Sequence, residues 1–124
     1  MSQEIDVDLT HDERAILRWG LRDWGGPASA SEDLVRVMGF ESIADLFREG
    51  QRIAELIWTG QPLTARDWTR ALVATEFVWA SEVYGAGLDS IYTFGYSDAE
   101  AVAFLRSAQR KLRHAGAIRR SSII

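Results

Sequence analysis

The sequence predicts an all-α fold, a single-domain bundle of about five helices around a central apolar helix spanning 65–84. Three observations carry this: apolar residues recur at helical spacing, Ser/Thr-x-x-Glu capping boxes open several segments, and no convincing strand appears. Between Ala71 and Ala80 the only polar residues are Thr75 and Glu76, and a helix apolar almost all round is one enclosed by other helices. Thr64 caps it with Asp67 three residues on, and Trp68, Leu72, Thr75, Trp79 and Val83 line one face beside a second face of Ala71, Ala74 and Val78.

The remaining elements follow in order. Ile5, Val7 and Leu9 alternate with Asp6 and Asp8, which reads as an extended arm (1–9) laid over the core without a strand partner. Thr10 and Glu13 form a capping box that opens a helix from His11 to about Trp24, closed by Gly25, Gly26 and Pro27. Its inner face is Ile16, Leu17, Gly20, Leu21 and Trp24, leaving Trp19 toward the flank, either at the core edge or as a partner anchor. Ser29 and Glu32 start a short helix that stops at Gly39. From Ser42 to Trp58 the apolar stripe is Ile43, Leu46, Phe47, Gly50, Ile53, Ala54 and Ile57, and Gly50 within it marks a close approach of another helix. Gly60, Gln61 and Pro62 turn the chain into the central helix. Ser97 and Glu100 open the last helix, Asp98 to about His114, with Ala101, Phe104, Leu105, Ala108 and Leu112 facing in. Gly116 ends it, and 117–124 is expected to be a frayed tail.

At 124 residues the chain has the length of one domain. It contains no cysteine, which removes thiol nucleophiles, thiolate metal sites and a disulfide scaffold together. The acidic start has no basic-then-apolar leader, and no apolar run reaches the length of about 18 residues that reads as a membrane span, so a cytoplasmic protein without membrane contact is expected. All 18 acids lie before residue 101, where they outnumber the bases by ten, whereas 101–124 holds six bases and no acid. Such a body repels phosphate backbones and suits a basic protein partner, if its acids do more than confer solubility.

Enzymatic readings find little support. His11 sits in a first helical turn and His114 among arginines at a helix end, and neither is spaced against a nucleophile. Gly85 and Gly87 form a bare GxG after a helix, without the strand that a dinucleotide fingerprint needs. No cofactor or metal site is expected. The 31–49 segment has helix-turn-helix spacing, but Glu41, Asp45 and Glu49 on the would-be recognition helix oppose nucleic acid. Glu76, embedded in the central helix, is expected to reach solvent or to pair with Arg70 or another arginine.

The connection 85–97 is too long for a simple helix link. Tyr92, Phe94 and Tyr96 alternate along it, so their rings either cap the core or form a contact surface with Asp89 at its rim. Those four residues, with Glu76 and Trp19, are the candidate partner-binding set. A protein-binding module of immunity or antitoxin type, neutralising a basic enzyme, is the leading functional expectation, and a structural or homodimeric interaction protein is the alternative.

The runs WGGPA at 24–28, MGF at 38–40, and DWTRAL and ATEFVWASE within 67–82 resemble a group of short, uncharacterised bacterial proteins. The likeness covers most of the chain. It implies no catalytic motif and assigns no role to any residue.

Overall fold

The computed structural model describes residues 3–22, 24, 31–81 and 98–118. They are mostly helical: α1 (His11–Arg22), α2 (Glu32–Met38), α3 (Ile43–Trp58), α4 (Ala65–Ser81) and α5 (Asp98–His114), with one short strand pair, β1 (Glu4–Ile5) and β2 (Leu63–Thr64).

The helices start where side chains can satisfy their free N–H groups. At α1, Thr10 Oγ1 accepts from Glu13 N at 3.2 Å and Glu13 Oε1 accepts from Thr10 N at 2.8 Å, a reciprocal capping box. Ser42 Oγ accepts from Asp45 N at α3, Asp45 Oδ2 accepts from Glu41 N, and Thr64 Oγ1 accepts from Asp67 N at α4. The cap of α2 is Ser31, two residues after the expected Ser29, which lies outside the described residues. Gly39 ends α2 with φ +102°, a left-handed conformation that side chains beyond glycine adopt at a cost.

The arm departs from expectation. Glu4 pairs with Thr64 and Ile5 with Leu63 in antiparallel register, so the arm does have a strand partner. Two side chains fasten it further: Trp68 Nε1 donates to Ile5 O at 2.9 Å, and Arg14 reaches Ile57 O and Val7 O. Val7 and Leu9 are buried beneath it. At the other end Ala117 is fully buried and its N–H donates to Leu112 O, while Ile118 packs on the core. The frayed tail therefore does not include 117–118, and 119–124 lie outside the described residues.

In the core, α4 is enclosed as its composition requires, with Trp68, Ala71, Leu72, Ala74, Thr75 and Val78 buried. Trp79, expected on the inner stripe, is only partly buried, and Val83 is not among the described residues. Yet α1 is as central as α4, since it packs extensively on both α3 and α4 and also meets α5. Two glycines allow this. Gly20 faces Thr75 so closely that a side chain would not fit, and Gly50 of α3 lies where a Cβ would be 3.4 Å from Leu21 O. Phe47 corrects the expected α3 stripe: it is 46% exposed, on the side of α3 that turns to water with Ala44 and Gln51. No described helix is long and apolar enough to cross a membrane.

Candidate functional site

Of the residues expected to meet a partner, Tyr92, Phe94, Tyr96 and Asp89 lie outside the described residues. Glu76 and Trp19 are described, and both are buried. Trp19 is 7% exposed, so it belongs to the core edge rather than to an open flank of α1. Glu76 is fully buried and accepts from Gln109 Nε2 of α5. Neither residue presents a surface to a partner. Arg70, the expected mate of Glu76, points elsewhere.

The acids of the sequence divide by depth. Glu13, Asp45, Asp67 and Glu76 are buried, and Glu13, Asp45 and Asp67 are tied into specific networks. Glu13 links α1 to α5: besides closing its capping box it accepts from Ser107 Oγ, and Lys111 Nζ lies 2.7 Å from its Oε1. Burial pushes this carboxyl up, but the bonds from Lys111, Ser107 and the Thr10 N–H together outweigh burial and hold it below its ordinary value. Lys111 is thus half-buried against α1. Asp45 is likewise held low, first by the Glu41 N–H, against burial, and then by Arg48. Asp67 joins α3 to α4 by accepting from Arg52 at 3.0 Å and Arg70 at 3.2 Å.

The acids left at the surface include Glu32 and Asp33 at the start of α2 and Glu41 just before α3. Ile43 N donates to Glu32 Oε1 at 3.4 Å, which sets the start of α2 against the start of α3. Phe47, one helical turn beyond Ile43 on α3, is exposed.

A groove of about 1060 Å3 opens elsewhere, between the arm, the end of α2 and the first turns of α4. Among the described residues its charged lining is wholly basic: Arg36, Arg66 and Arg70. Arg66, Thr69, Arg70 and Val73 recur at helical spacing and form one stripe of α4, facing Arg36, Val37 and Gly39 of the α2 end. Arg70 is held rigidly, donating to Gly39 O at 2.9 Å and to Asp67, with its guanidinium 4.9 Å over the Phe40 ring. Arg66 is exposed and forms no ion pair among the described residues. Val37 is 59% exposed at the rim.

Sequence reading missed this groove. The 66, 69, 70, 73 stripe was legible as a pattern, but its opposite wall belongs to α2, and their juxtaposition is a tertiary fact. The rings of His11 and Trp58 meet with centroids 4.8 Å apart and planes tilted by 55°. Among the described residues no group of three or more His, Asp or Glu is placed to hold a metal ion. No protein-family model, curated protein or solved structure is similar enough to this chain to match it.

Proposed function

We propose that this protein is a small cytoplasmic protein-binding module, in its most specific form an immunity- or antitoxin-type protein that neutralises a basic partner enzyme. The complete domain in this reading is a bundle of about five helices, acting without a cofactor and without catalysis of its own. The observation that supports it most is the set of exposed residues on and between α2 and α3, the acids Glu32, Asp33 and Glu41 and the ring of Phe47. An exposed ring and unburied acids together supply an apolar anchor and charge that steers a basic surface. With four acids withdrawn into the core, the surface acids rather than the net charge define where such a partner sits. The 85–97 loop, with Tyr92, Phe94, Tyr96 and Asp89, remains part of the proposed partner-binding set.

A homo-oligomeric interaction protein is the second reading. The same Phe47 favours it, because an exposed apolar side chain can meet its own copy across a two-fold axis. One experiment separates the two. Wild-type protein and the triple variant Asp33→Lys, Glu41→Lys, Phe47→Ser are used for affinity capture from extract of the native cell, alongside sedimentation of each alone. A basic enzyme retained only by the wild type supports the first reading. Self-association lost in the variant, with no retained protein, supports the second.

A further inference from the structure

We propose that the groove between the arm, α2 and the start of α4 is a docking site for an extended acidic peptide segment of a partner protein. The inference does not depend on a basic partner at the α2–α3 corner, although the two sites adjoin through the pairs of Arg36 with Glu32 and Asp33.

Charge complementarity selects the occupant. Among the described residues, Arg36, Arg66 and Arg70 supply every charged side chain that lines the groove. The carboxylates that hold two of them, Glu32 and Asp33 for Arg36 and Asp67 and Glu49 for Arg70, are not among the lining residues. Arg36 is held loosely, at 3.5 and 4.0 Å from exposed carboxylates, so it can turn to a new acid at small cost. Arg66 has no carboxylate partner among the described residues, whereas Arg70 is buried and already paired with Asp67 and Glu49, so it shapes the groove rather than receiving a ligand acid. One guanidinium is therefore uncommitted, one is exchangeable and the third is already neutralised.

Spacing favours an extended chain. Alternate side chains of an extended peptide fall on one side about 7 Å apart, so an acid can face Arg66 on α4 while the intervening residue points toward the α2 wall, where Val37 offers apolar contact and Arg36 can turn to a further acid. Thr64 and Thr69 add hydroxyls along the same path. An open trench of this size holds several residues of chain, and the polar floor does not demand a buried apolar ligand.

The test is calorimetric titration at low salt with a capped hexapeptide alternating glutamate and valine, its lysine–valine counterpart, a peptide of residues 3–9 of this chain, and inorganic phosphate. We expect saturable binding of the glutamate peptide and none of the lysine peptide. Arg66→Glu and Val37→Asp should each weaken binding about tenfold or more, because each sets a negative charge against the ligand's acids. Their melting temperatures should match the wild type, since both side chains are exposed. Four results would overturn the proposal. These are no binding of the glutamate peptide, binding indifferent to both variants, phosphate binding as tightly as the peptide, or wild-type self-association that Arg66→Glu abolishes and the 3–9 peptide competes away. The third would make the groove a small-anion site and the fourth a contact between copies of this chain.

Discussion

Gly20 on α1 and Thr75 on α4 stand backbone against backbone: a Cβ on residue 20 would lie 2.5 Å from Thr75 Cα. Trimming Thr75 cannot relieve such a clash, because the obstructing atom belongs to the main chain. Gly20→Ala should therefore force α1 and α4 apart and cost about 3 kcal/mol or more, despite alanine's better helix propensity. Denaturant titration measures this, and a neutral or stabilising result would mean that the two helices do not meet at this point.

The Glu13 clasp predicts a pH dependence of definite sign. Its carboxyl is held below the ordinary value in the folded protein, because the bonds from Lys111, Ser107 and Thr10 override burial. Its stabilisation is thus present above the unfolded carboxyl's pKa and lost as pH falls through the lower, folded value. Glu13→Gln should cost about 1–3 kcal/mol near neutral pH, where Lys111 loses its counter-charge. The gap between variant and wild type should close as the medium becomes strongly acidic. Unfolding curves at several pH values would contradict the assignment if that gap stayed constant.

Trp68 holds the arm to α4 from within the core. Trp68→Phe keeps a large ring but removes the donor to Ile5 O, leaving that carbonyl to water. A loss of about 1 kcal/mol is expected, together with faster amide exchange across the β1–β2 pair. Trp79→Ala should be milder than Trp68→Ala, since Trp79 is only partly buried whereas Trp68 is fully enclosed. Equal penalties would remove that distinction.

Phe47→Ser tests the surface assignment directly. At 46% exposure the ring contributes little to the core, so the change should shift stability by less than about 1 kcal/mol. A core phenylalanine would cost several times as much when replaced. Urea titration distinguishes these outcomes independently of any partner.

Local signals were the most legible part of the molecule. The capping boxes at Thr10 and Thr64, the stops at Gly39 and Gly116, and the enclosed character of α4 follow from chemistry within a few residues of each site. Phe47 was misplaced, and Trp19 left open between core edge and partner anchor, for a shared reason: periodicity shows which residues share a helical face, but not how much of the helix's circumference its neighbours cover. On α3 the covered sector is narrow enough to leave Phe47 in water, while on α1 it is wide enough to bury Trp19.

By itself the sequence determined the helical class, the helix starts and the enclosed nature of α4, because capping and amphipathic periodicity act over a few residues. Only the tertiary structure decided that Gly20 meets Thr75, that Glu13 reaches Ser107 and Lys111 some ninety residues away, and that the Arg66 and Arg70 stripe faces the end of α2. These relationships join distant segments. They depend on how whole helices pack, which is set by the summed fit of many side chains and by where two glycines permit close approach.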